Sequence, residues 1–163
     1  MSWAICSSPS RDRAGYCTRI LHEDYTIPIG QADVKREGDE LTVLTYGMML
    51  HDSLEAAEEV SRDGIRVEVV DLRTLFPVDK DTIRTSVKKT GKVLIVHEDT
   101  KTGGIGGELA AVVAEEAFEY LDGPLVRVTG PDVPAMPYNK GMEDFFMPDV
   151  ETIAAAIREL AAY

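Results

Sequence analysis

His97 and Glu98 stand side by side where an apolar run, Val93–Val96, turns polar, and a glycine-rich stretch, Gly103–Gly104–Ile105–Gly106–Gly107, follows at once. An imidazole beside a carboxylate can carry protons to and from a substrate. Glycines ahead of a helix can bring backbone N–H groups up to a phosphate. The surrounding residues supply the frame that either chemistry needs. Val93–Val96 reads as a buried strand, and Leu109, Val112, Val113, Ala117 and Leu121 share one face of a helix over 108–121. Strand, loop and helix of this kind repeat in parallel α/β sheets, whose functional groups gather at the carboxyl ends of the strands.

Each reading has a competitor. Gly104–x–Gly106 begins a dinucleotide fingerprint, but Leu109 holds the place of its third glycine and Glu108 sets an anion at the start of the predicted helix. A tight turn that lets helix and strand approach closely is the alternative. Consecutive strand residues face opposite sides, so His97 and Glu98 are poorly placed to act on one substrate; a histidine hydrogen-bonded at a domain contact is the competing assignment. His51 falls near the start of an earlier helix, as a buried polar contact or an interface residue. His22, His51 and His97 are far apart, and Cys6 and Cys17 match neither a common zinc spacing nor a disulfide framework. No Walker loop, nucleophile elbow or metal-binding carboxylate set appears. The residues alone therefore describe an α/β domain without an obvious complete active site, and no catalytic, cofactor-binding or metal-ligating residue is assigned.

The elements that position these residues are legible from residue 25 onward. Ala32, Val34 and Arg36 alternate as in an edge strand ended by Gly38. Leu41–Tyr46 is a strand closed by Gly47, and Leu50, Leu54, Ala57 and Val60 have helical spacing up to Gly64. Val67–Leu72 is a second strand, Asp79 caps a helix that stops at Gly91, Leu125–Val128 is a further strand, and Asp149 caps a last helix. A proline-rich passage runs from Pro131 to Pro148. Short β-branched strands separated by helices predict parallel pairing in one α/β domain over 25–163, with residues 1–24 as a flexible leader or linker. The chain of 163 residues carries a net charge of −12. Such a surface repels phosphate backbones and suits a basic protein partner. No run is long and apolar enough to span a bilayer, and Trp3–Cys6 is too short for a secretory signal; a cytoplasmic location is expected.

Five blocks of sequence carry a resemblance: IPIGQADVKREGDELTVLTYG (27–47), EAAEEV (55–60), VEVVDLRTLFPVD (67–79), SVKKTGKVLIVHEDTKTGG (86–104) and GPDVPAMPYNKGMEDFFMP (130–148). In order and spacing the chain resembles the C-terminal domain of the E1 β subunit of 2-oxoacid dehydrogenase complexes, within the wider transketolase C-terminal-domain family. VHEDTKTGG together with GPDVPAMPY leans toward the branched-chain (2-oxoisovalerate) enzymes over pyruvate dehydrogenase. The resemblance implies a three-layer α/β/α sandwich whose five-stranded, mostly parallel sheet has one antiparallel edge strand, with Ala32–Arg36 as the candidate.

It also implies a working context. The complete enzyme is an α2β2 assembly using thiamine diphosphate and magnesium, bound between the α subunit and the N-terminal domain of β. That N-terminal domain has no counterpart in this sequence, where residues 1–24 stand in its place, so His97 does not inherit a catalytic role. The implied partners are the E1 α subunit, a second β subunit and the subunit-binding domain of the E2 acyltransferase. For E2 the implied contacts are Asp122, before Pro124 in LDGP, and the carboxylate of Tyr163; the competing reading is a turn aspartate and a mobile terminus. The isolated chain is also expected to self-associate, through Met136, Tyr138, Phe145 and Phe146 or the helix carrying His51. Alone it is expected not to decarboxylate 3-methyl-2-oxobutanoate given thiamine diphosphate, magnesium and an electron acceptor, because proximity of cofactor and reacting groups supplies much of the rate; turnover above a blank would contradict this. A stand-alone nucleotide- or small-ligand-binding domain is the alternative function.

Overall fold

A computed structural model describes residues 26–134 and 138–163. The expected leader over 1–24, both cysteines, His22 and Met136 lie outside the described residues. Five strands, β1 (Asp33–Arg36), β2 (Leu41–Thr45), β3 (Val67–Asp71), β4 (Val93–Thr100) and β5 (Val126–Gly130), form one sheet in the order β1-β3-β2-β4-β5. β2, β3, β4 and β5 run parallel, and β1 alone pairs antiparallel, with Asp33 opposite Asp71 and Val34 opposite Val70. The edge strand expected over Ala32–Arg36 is β1.

Burial explains the composition of the central strands. Every residue of β2 and β3, and Val93–His97 of β4, is buried, because helices cover both faces. Strand alternation sends Leu41, Val43, Val67, Val69, Leu94 and Val96 to one face, against α1 (Met49–Ser61) and α5 (Val150–Ala161). Leu44, Val70, Leu72, Val93 and Ile95 go to the other, against α2 (Lys80–Thr90) and α3 (Ile105–Ala117). The three layers are those expected from the sequence.

The predicted caps hold. Asp79 accepts the Thr82 N–H at 3.0 Å and the Thr82 hydroxyl at 2.7 Å, and its other role is to accept the Ala32 N–H at 2.9 Å, which ties the entry of β1 to the start of α2. Burial raises the pKa of Asp79, but these hydrogen bonds outweigh it and hold the carboxyl below its ordinary value. Gly91 ends α2 at φ 69°, donating to the Val87 carbonyl at 2.8 Å. Asp149 starts α5 by accepting the Thr152 N–H at 2.8 Å.

Several boundaries differ from the sequence reading. β4 continues four residues beyond the apolar run, to Thr100, which pairs with Gly130 after a register irregularity. Hydrophobicity marks where helices cover a strand, whereas backbone pairing can run past the cover. β5 likewise reaches Gly130 rather than ending at Val128; Gly130 pairs with Thr100 and lies under Phe146, a cover supplied by a distant element rather than by an apolar run. α3 begins at Ile105, with Gly104 as its first flanking residue, so Glu108 lies inside the first turn instead of opening the helix. The helix stops at Ala117 and a 3-10 turn, Phe118–Tyr120, completes the predicted span. Finally, the proline-rich passage contains a short helix, α4 (Lys140–Phe146), which Asn139 caps by accepting the Gly141 N–H at 3.0 Å. Only Phe146 of α4 is buried, so no helical period of apolar residues signalled it.

Candidate functional site

The sheet order creates one topological switch. β2 feeds α1 on one face, and its neighbour β4 feeds α3 on the other. The connections diverge at the carboxyl ends of these two strands, the place where open α/β sheets bind ligands. His97, Glu98 and the glycine turn lie there, as the sequence implied.

His97 is fully enclosed. Extending the β2–β4 register, Thr45 opposite Val96, sets Tyr46 beside His97, and the two rings stack at 6.4 Å between centroids with 14° between planes. On the other side the ring meets the glycine turn. A Cβ built on Gly106 would stand 2.3 Å from His97 Nε2, and one on Gly104 would stand 2.9 Å from Cε1 and 2.2 Å from the Thr100 carbonyl oxygen. The tight-turn reading of the glycines is therefore the one the geometry supports, and the space beside them is filled by imidazole. The expectation of a hydrogen-bonded histidine is corrected: neither ring nitrogen has a partner among the described residues. Burial lowers the His97 pKa, Asp99 acts in the opposite sense and Arg127 adds to the lowering. Tyr46, half-buried, has its pKa raised by burial and by the charges of Asp99 and Glu98.

Strand parity sends His97 toward α3 with Ile95, and Glu98 to the opposite face with Val96. The two do not form an acid–base pair. Thr102 fastens the loop before the glycines, its N–H and hydroxyl both donating to Asp132 at 2.8 Å; these bonds lower the Asp132 pKa. A diphosphate and its metal do not fit these residues. The imidazole blocks the turn, and among the described residues no group of His, Cys, Asp and Glu could hold a metal ion. Tyr46 was missed in the sequence, although its place one residue past the paired end of β2 was the available signal.

The residues expected to meet a partner sit at the opposite end of the sheet. The Asp122 N–H donates to the Gly91 carbonyl at 2.7 Å, and its carboxylate lies so close to Gly91 that a Cβ there would stand 2.3 Å from Oδ2. A Cβ on Gly123 would stand 3.6 Å from Tyr163 Cβ and 3.9 Å from Lys92 Cγ. Lys92 Nζ in turn donates to the Ala161 carbonyl at 2.8 Å. Tertiary packing thus brings the Asp122 turn beside Tyr163, and both side chains are exposed. Of the expected apolar surface, Tyr138, Phe145 and also Met142 are exposed, but Phe146 is corrected to a core residue, 7% exposed and packed on Gly130. His51 is exposed on α1 rather than a buried polar contact.

Comparison with known proteins agrees with this architecture. Residues 30–153 match the family model of the transketolase C-terminal domain, and the chain belongs to that family. Within it, the sequence corresponds to the C-terminal domain of E1 β subunits of 2-oxoacid dehydrogenases. It is 53% identical over 141 residues to the 2-oxoisovalerate dehydrogenase subunit beta of Bacillus subtilis (strain 168), covering 86% of this chain and 43% of that one. It is 43% identical over 144 residues to the pyruvate dehydrogenase E1 component subunit beta of the same organism, covering 88% and 44%. A solved split-gene transketolase, described as an inactive beta4 tetramer, matches with a TM-score of 0.75 and 27% identity, over 88% of this chain and 46% of that one. The chain thus spans less than half the length of these relatives.

Proposed function

We propose that this domain assembles a 2-oxoacid dehydrogenase: it pairs E1 β chains, packs with the E1 α subunit and docks the subunit-binding domain of the E2 acyltransferase, in the cytoplasm. Catalysis with thiamine diphosphate and magnesium belongs to other domains of the complete enzyme, and the branched-chain 2-oxoacids are the favoured substrates, given the 53% identity to a 2-oxoisovalerate dehydrogenase subunit. The observation that carries the reading is that the turn holding Asp122 packs beside Tyr163, both exposed at one end of the sheet on a chain of net charge −12. A basic module meets a complementary field there, which raises on-rate and specificity and weakens with salt. The exposed Tyr138, Met142 and Phe145 support association with other chains.

Titration calorimetry with a cognate E2 subunit-binding domain, at low and high salt, tests the docking site. Binding is expected to weaken as salt rises, and by roughly thirtyfold on Asp122→Asn or on adding a short extension after Tyr163, the low end of the range for truncating one partner of an interfacial charge pair. Salt-independent binding that neither change disturbs would remove Asp122 and Tyr163 from the interface.

A further inference from the structure

We propose that His97 is an acid-sensitive latch: as neutral imidazole it fills the space cleared by Gly104 and Gly106 and holds the glycine turn and the start of α3 against the sheet, and on protonation it leaves that space and frees them. The inference is independent of the docking site and rests on geometry. The ring is fully enclosed, both nitrogens lack partners among the described residues, and Nε2 faces the first turn of α3 across the Cα of Gly106. Enclosing a neutral ring without partners is costly, and enclosing an imidazolium without acceptors costs far more. The outward N–H groups of a helix start carry partial positive charge and oppose a cation further.

The charged neighbours favour the same outcome on balance. From β2 the ring faces Tyr46. From β4 it has Asp99, which favours the charged form, with Glu98 directed to the other side of the sheet. From β5, Arg127 opposes a charge on the ring, and the turn and the start of α3 bring Gly104 and Gly106 against it. Burial is the largest influence and sets the folded pKa below the ordinary value. The sign follows. As pH falls through the ordinary histidine range, near 6.5, the released state takes up a proton that the latched state refuses. The latch then weakens by up to about tenfold per pH unit until the folded pKa is reached.

Nuclear magnetic resonance of the full chain can follow the His97 ring and the amide exchange of Gly103–Glu108 from about pH 8 to about pH 5, the window in which histidine changes charge, with exchange corrected for its intrinsic pH dependence. The expected result is a neutral His97 ring near pH 6.5 and a loss of protection in the turn of roughly tenfold or more by about pH 5, with His97→Gln abolishing the pH dependence. The latch is overturned by a ring already half-protonated at or above pH 6.5, by turn protection that does not change with pH, or by the same loss in His97→Gln. If that variant does not fold, the wild-type titration and exchange decide alone.

Discussion

Gly106→Ala is expected to destabilise the protein by about 1–3 kcal/mol, the usual range for overpacking a tight interior. The sign is informative because alanine inside a helix ordinarily stabilises relative to glycine by about 1 kcal/mol, and Gly106 lies in the first turn of α3. Here the added methyl would stand 2.3 Å from His97 Nε2 and 2.7 Å from Cδ2. The imidazole has no free direction, with Tyr46 stacked on it and no exposed surface. Urea unfolding of the wild type, Gly106→Ala, His97→Ala and the double variant would isolate the contact. Once the ring is gone the added methyl should cost little. Equal costs of Gly106→Ala with and without the ring would show that the contact is not what requires glycine.

Gly38→Ala is expected to cost more, about 3 kcal/mol, because what it meets is backbone. The chain between β1 and β2 crosses the start of β3 there. A Cβ on Gly38 would stand 2.3 Å from both Glu68 N and Val67 C, and 2.7 Å from the Arg66 carbonyl oxygen. The crossing is fixed on the far side as well, since Asp39 and Glu40 both donate backbone N–H groups to the Arg66 carbonyl, at 3.3 and 3.1 Å. Relief would require breaking the first pairs of the β2–β3 ladder, Leu41 with Val67 and Thr42 with Glu68. For a chain of this size the thermal midpoint should fall by about 10 °C. A midpoint within about 2 °C of wild type would mean that the crossing is looser than the structure indicates.

Both substitutions concern glycines that the sequence marks and only the fold explains. Gly38 reads as the end of an edge strand, and nothing local to it shows the backbone of residues 66–68 lying against it. Gly104 and Gly106 read as a turn; Gly104 flanks the helix and Gly106 lies in the first turn of α3, and the ring that needs the room sits seven to nine residues earlier and on another element. Asp122 and Tyr163 are separated by the whole of β5, α4 and α5. Their adjacency arises because the turn before β5 and the end of α5 finish at the same end of the sheet.

The sequence by itself determined the layer architecture and the edge strand, and its resemblance to a family supplied that strand's antiparallel orientation. Apolar alternation and helical spacing are local records of which face is covered, and Asp79, Gly91 and Asp149 are local answers to unpaired helix ends. It also counted against a complete dinucleotide fingerprint at the glycine stretch, because Leu109 holds the place of the third glycine. Only the tertiary structure decided where β4 and β5 end, since polar residues at strand ends pair without leaving a periodic pattern. It alone placed α4, a helix whose residues are nearly all exposed. And it alone settled the environment of His97: a ring's burial, its stacking on Tyr46 and its lack of hydrogen-bond partners depend on three elements meeting at one point, which no run of adjacent residues encodes.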